Sequence, residues 1–300
     1  LFTFIFIKTN KMDDKLVINF TPTGMIPTKS MTPYVPVSVS EIVEDVHKAC
    51  ELGITMVHLH ARDPISGEPT HEKEIYGEII EGIRKHAPYL VICVSLSGRN
   101  VKKLELRADP LMLEGPLKPD FGSLTLSSLN FNQTASINSP SMVQDLAALM
   151  KEKGIVPELE VFDIGMINYS KYLERKGLIK SPYYFNLLLG NIACAQADIL
   201  HTGVMIRDIP EDSIYSLAGI GNQQLKMNSL AIAIGAGVRV GLEDNIWFDT
   251  SRTKLATNIG LLERIHTIAK ANDREIMTPQ EFRLKMKLEP GNGKYGRKYD

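Results

Sequence analysis

His58 and His60 stand on either side of Leu59 in the stretch Thr55-Met-Val-His-Leu-His-Ala-Arg-Asp63. Met56 and Val57 are apolar and Arg62-Asp63-Pro64 closes the run, so it reads as a short buried strand leaving into a loop. Side chains alternate along a strand, so the two histidines share one face while Leu59 takes the other. Two imidazoles on one face at a strand's C-terminal end supply half of a zinc site. The plainer alternative is a hydrogen-bonded structural pair. A second stretch, Val238-Arg-Val-Gly-Leu-Glu-Asp244, puts Arg239, Gly241 and Glu243 on one face by the same alternation. Glu158 and Glu160 share a face in Pro157–Phe162, and Ser95, Ser123 and Thr125 place hydroxyls at or near the ends of two apolar runs.

These groups act together only if the elements that carry them converge. Apolar runs at 16–20, 55–60, 89–95, 121–126, 157–162, 183–189, 213–218 and 238–242 read as eight strands. Helical patterns lie between them: from an N-cap at Ser40 to Gly53, from His71 to His86, over 141–153, 166–177 and 221–235, and a last one over 253–271. The segment 191–208 is poorly patterned and reads as either helix or loop. Alternating β and α in this length predicts a closed (β/α)8 TIM barrel over 16–300, with a doubly wound open sheet as the alternative. The barrel is favoured because polar groups recur at the C-terminal ends of most strands, including Thr21, His58, His60, Ser95, Ser123, Glu160 and Glu243. In that register Glu243 emerges at the rim of the His pair and completes a His2Glu set with an open position. Asp244 then sits beside the ion as a general base. A guanidinium at Arg239 facing the barrel interior needs an anionic partner, with Asp244, Glu160 or a substrate carboxylate as candidates.

Composition removes several other classes. The formal charge is −1, from 34 basic and 35 acidic residues, so the basic face that nucleic acid requires is lacking. Cys50, Cys93 and Cys194 are odd in number and widely spaced, which argues against a disulfide framework and fits a reducing cytoplasm. No window is apolar enough to cross a membrane, and Leu1–Ile7 is far shorter than the ~20 residues a span needs. Residues 1–15 read as a disordered N-terminal extension, with 1–11 as upstream read-through ahead of Met12.

With these residues in hand, the chain resembles the β-keto acid cleavage enzymes from about Leu16 to about Pro279. The landmarks are Val57–Asp63, Val94–Gly98, Ser128–Phe131, Pro157–Met166, Ala218–Gly221 and Gly237–Asn245. The resemblance implies a zinc-dependent barrel that condenses a β-keto acid with acetyl-CoA or another acyl-CoA. The adduct then splits by a retro-Claisen step to acetoacetate and a new CoA ester. By position it implies His58, His60 and Glu243 as zinc ligands, and Asp244 as the base, supported by Arg239 and Glu160. Ser95 and Ser123 then stand around the reacting carbonyls, with Thr125, Gly98 and Arg99 in the substrate region. It also implies a homo-oligomer, a tetramer in the family. Where the family's best-known member has an acidic residue after the first-strand Thr-Gly, this chain has Met25-Ile26, which predicts a neutral or apolar substrate. Arg99, in a turn that departs from the family's glycine-rich form, is a candidate for a CoA phosphate or a second carboxylate. The rival is an amidohydrolase-type hydrolase. That reading places the His pair on the first barrel strand and needs further metal-binding histidines on strands five and six, which this chain lacks.

Overall fold

The computed structural model describes residues 15–299, so the expectation for the N-terminal extension lies almost wholly outside the described residues. Eight parallel strands close into a barrel in chain order: β1 (Ile18–Phe20), β2 (Met56–Leu59), β3 (Val91–Val94), β4 (Phe121–Thr125), β5 (Val156–Val161), β6 (Tyr183–Leu189), β7 (Ser213–Gly219) and β8 (Gly237–Val240). β8 pairs back onto β1, with Asn19 opposite Arg239, and that pairing excludes the open sheet. The strands carry continuous apolar runs because both their faces are covered. Outward residues such as Ile18, Leu59 and Val94 pack under the helices, while Val17, Met56, Val91 and Phe121 fill the lower interior. No helix among the described residues is long and apolar enough to cross a membrane.

The helices between strands are α1 (Val39–Leu52), α2 (Lys73–His86), α3 (Pro140–Lys153), α4 (Ile164–Arg175), α5 (Ile199–Asp208), α6 (Gln224–Ala233) and α7 (Asn258–Ala271). The cap of α1 is Ser38 rather than Ser40. Ser38 Oγ accepts the Glu41 N–H at 3.2 Å and the Glu41 carboxylate accepts the Ser38 N–H at 3.0 Å. This reciprocal pair needs Glu three positions after the cap, and only Ser38 meets that spacing. The ambiguous 191–208 segment resolves into a loop and α5, capped by Asp198. The last predicted helix begins at Asn258 instead of 253, because Thr257 supplies its cap.

One further helix, α8 (Pro279–Lys285), closes the end of the barrel where the strands begin. Phe282 packs against Phe121 and Tyr184 there. Arg283 donates to both oxygens of Asp120, at 2.9 and 2.8 Å, and to the carbonyls of Tyr89 and Leu90. Asp120 also accepts the N–H groups of Ile92 and Gly296. Both partners are almost fully buried, so removing one strands the other's charge. Arg283→Met is expected to lower the unfolding free energy by about 3–5 kcal/mol, read from the denaturant midpoint. A midpoint equal to wild type would show that this lock contributes nothing to stability.

Candidate active site

At the opposite end of the barrel, β2 delivers His58 and His60 to one spot, as alternation requires. Their Nε2 atoms lie 3.2 Å apart, and His60 Nε2 is 3.1 Å from Glu243 Oε1. Four-coordinate metals with ligands at about 2.0–2.1 Å place neighbouring donors roughly 3.3 Å apart, so this spacing suits one divalent ion. The other Glu243 oxygen, Oε2, is buried without a hydrogen-bond partner. An unsatisfied carboxylate oxygen beside two imidazole nitrogens is costly unless a cation shares it. These three residues could therefore hold a metal.

Behind the His pair lies a carboxylate whose specific partner the sequence reading left open. Glu158, fully buried on β5, meets His58 Nδ1 at 2.5 Å. Asn19 donates to its other oxygen at 2.7 Å, and the Cys93 thiol lies 3.2 Å away. A proton on Nδ1 directed at Glu158 leaves the Nε2 lone pair free to bind. His58, Cys93 and Glu158 also form a possible ligand group, but 2.5 Å between donor atoms is a hydrogen-bond distance, shorter than ligands of one ion adopt. The signal was present: Glu158 shares a face with Glu160 and had to meet a partner in the interior.

Arg239 spans the floor of the site. Its guanidinium reaches Asp244 Oδ2 at 3.1 Å, Glu243 Oε1 at 2.7 Å and Glu160 Oε1 at 3.5 Å. Both protein partners expected for it, Asp244 and Glu160, are present, and Glu243, expected only as a metal ligand, joins them. Strict alternation would send Glu243 and Asp244 apart, but β8 ends at Val240 and the exit turn brings both to Arg239. Burial pushes the Asp244 carboxyl up to about 6, assisted by Glu243 and opposed by Arg239. Burial acts on Glu243 in the same sense, yet Arg239 and the two histidines hold it well below the usual carboxylate range. Adjacent carboxylates with opposite shifts can divide labour, one charged and fixed, the other able to exchange a proton near neutrality. Thr125 donates to Glu160 at 2.6 Å and so orients the far side of the same network.

A cavity of about 570 Å³ opens over these groups. His60, Glu160, Arg239, Glu243 and Asp244 line it, as do Ser95, Thr125 and Arg99. Ser123 and Gly98 do not. Ser123 Oγ instead accepts the Leu96 N–H at 2.9 Å, holding the turn after β3. Gly98 is required by packing, since a Cβ there would sit 2.5 Å from the Ile137 carbonyl oxygen. Two further residues escaped the sequence reading. Arg62 donates to the carbonyls of Gly24 and Pro27 and ties the β1 exit loop down. Gly24, at φ +71°, then lies against Glu243, and a Cβ would fall 2.5 Å from Glu243 Cγ. An Arg just past a buried strand and a Gly at a strand exit were the available signals. Gly24→Ala should displace Glu243 and lower kcat/KM by about 10²-fold, the usual scale for ångström misplacement. Wild-type kinetics in that variant would dissociate the loop from the site.

Comparison with known proteins places this geometry. The family model described as beta-keto acid cleavage enzyme matches residues 15–288. The chain is 35% identical over 281 residues to a 3-keto-5-aminohexanoate cleavage enzyme of Fusobacterium nucleatum, spanning 92% of this chain and 99% of that one. It is 34% identical over 283 residues to a 3-oxoadipate:acetyl-CoA acetyltransferase of Cupriavidus necator, spanning 92% and 96%. Among solved structures, ObcA in complex with a C4-CoA adduct and oxalate shares the barrel. The TM-score is 0.76 at 20% identity, covering 85% of this chain and 68% of that one. A family match over nearly the whole chain, on a barrel with its polar groups gathered at one mouth, makes this protein an enzyme of the beta-keto acid cleavage family.

Proposed function

We propose that this enzyme exchanges acyl groups between a β-keto acid and acetyl-CoA, or another acyl-CoA, with zinc bound by His58, His60 and Glu243. The observation that carries this reading is the convergence of those three donors, with His60 and Glu243 lining one cavity beside Asp244. When bound, zinc would supply Lewis acidity, drawing electron density from the ketone and carboxylate oxygens of the substrate. Asp244, poised near neutrality, takes the proton from the carbon between ketone and carboxylate. That carbon attacks the acetyl-CoA carbonyl and the CoA thiolate leaves. The thiolate then adds to the original ketone, the old carbon–carbon bond breaks, and the carbanion recovers a proton from Asp244. The products are acetoacetate and the new CoA ester, with no net change in oxidation state.

Arg239 keeps Asp244 oriented through its Nε and balances the charge that moves onto it. Glu160 and Thr125 fix the opposite side of that guanidinium. Ser95 presents a hydroxyl to the cavity, suited to a carbonyl or carboxylate oxygen. The names of the two relatives differ in the group their substrates carry at the far end, an amine in one and a carboxylate in the other. The far wall of the cavity is therefore where substrate choice is made.

Zinc-loaded protein incubated with acetyl-CoA and a panel of β-keto acids should release acetoacetate with at least one of them. Glu243→Ala, folded by circular dichroism, should lose at least about 10³-fold in kcat, on the scale of losing a principal transition-state charge contact. Full activity in that variant would overturn the assignment. Glu158→Gln should weaken zinc binding by about 10–100-fold in competition with a chelator, because His58 loses the carboxylate that orients it. Equal affinity would show that Glu158 serves the fold alone.

A further inference from the structure

The turn after β3 carries a guanidinium that none of the steps above employs. Arg99 lines the cavity, half-buried, with its guanidinium carbon 3.5 Å from the centroid of the Phe131 ring. Stacking fixes the plane of the group but leaves its five edge N–H donors unengaged. Among the described residues no acceptor hydrogen-bonds those donors and no carboxylate reaches ion-pair distance. The other buried arginines of the barrel are treated differently. Arg62, Arg107, Arg283 and Arg297 each donate to several backbone carbonyls or side-chain oxygens. Arg99 differs from these: half-buried in the substrate cavity, its guanidinium has no protein acceptor among the described residues. Burial lowers its pKa while Glu243, Glu160 and Asp244 act in the opposite sense, as expected for a cation facing the acidic end of the same cavity.

The same cavity has an apolar part, to which Met25, Ile26 and Met31 from the β1 exit loop contribute. Taken alone, Met25 and Ile26 predict a neutral substrate. With Arg99 in the same cavity, an anionic group at the far end of the substrate also finds a partner. We infer that the substrate is a keto diacid, its reacting end at His60, Glu243 and Asp244, its methylenes against Met25 and Ile26, and its far carboxylate on the Arg99 guanidinium. A planar fork already fixed by an aromatic ring suits a bidentate carboxylate and loses little freedom on binding it.

This inference rests on the cleavage reading for its reacting end, so its test includes an arm that needs no turnover. A saturated six-carbon dicarboxylate and the monocarboxylate of equal length are titrated calorimetrically into zinc-loaded wild type, Arg99→Met and Arg99→Lys. The dicarboxylate should bind at least about tenfold tighter in wild type, with the gap lost in Arg99→Met and partly kept in Arg99→Lys. In the turnover arm, the ratio of kcat/KM for a keto diacid over a keto monoacid should fall about a hundredfold in Arg99→Met. The change should appear in the KM for the keto acid. Arg99→Glu should move the preference toward an amino-substituted keto acid. An unchanged ratio overturns the inference. So does a rise confined to the KM for acyl-CoA, which would assign Arg99 to a CoA phosphate. A persistent dicarboxylate gap in a protein that turns over no keto acid would support the carboxylate subsite and overturn the cleavage reading instead.

Discussion

Four carboxylates buried around one guanidinium set the terms for everything else at the barrel mouth. Glu158, Glu160, Glu243 and Asp244 all act on Arg239, and they hold it charged against the cost of burial. Isolated in a dry interior, such acids would protonate rather than pay that desolvation. Here the two histidines and Arg239 keep Glu158 and Glu243 ionised, and Asp244 alone drifts toward neutrality. A divalent cation at the proposed site would neutralise the surplus of negative charge and give the orphaned Glu243 oxygen a partner. The same imbalance that makes the site expensive to fold makes it reactive.

That expense is borne by a scaffold with two different ends. Where the strands begin, α8 and the C-terminal residues seal the barrel with Phe282 and the Arg283–Asp120 lock. Every buried donor of that guanidinium finds an acceptor, so this end specifies the closed form and does no chemistry. Where the strands end, satisfaction is incomplete on purpose of geometry: Glu243, Thr21 and Thr23 each keep a buried oxygen without a protein partner. These three open acceptors lie at the mouth, where the loops that follow barrel strands meet substrate in enzymes of this fold.

Between these ends runs a polar column inside the barrel. Asn19, Glu158, Asn186, Tyr184 and Ser216 are all fully buried and linked by hydrogen bonds. The column connects the sealed floor to His58, so the orientation of a site residue depends on side chains from β1, β5, β6 and β7 together. A network of this kind holds one arrangement when its members are paired. The loops above it are looser in their demands. Arg62 pins the β1 exit, and the turn between Leu129–Asn130 and Ala135–Ser136 presents Phe131 to Arg99. In the proposed reaction, substrate choice rests on these loops, while Asp244, which handles the proton, sits in the exit turn of β8 and is held by Arg239 on the strand itself.

Much of this was legible from residue order alone. A period of two placed His58 and His60 on one face, apolar runs bounded by Gly and Pro marked the eight strands, and the run of β and α named the barrel. Those features depend on neighbours within a few positions, so local rules determine them. The partner of His58, the shared grip of Arg239 on both Glu243 and Asp244, and the stacking of Arg99 on Phe131 were decided elsewhere. Each joins residues about 30 to 100 positions apart, or turns on where a strand stops, as with β8 at Val240. The α8 plug was invisible for a similar reason: seven residues of modest helical pattern mean little until a barrel floor exists to receive Phe282. Short-range periodicity specifies which way a side chain points; only closure of the barrel specifies what it points at.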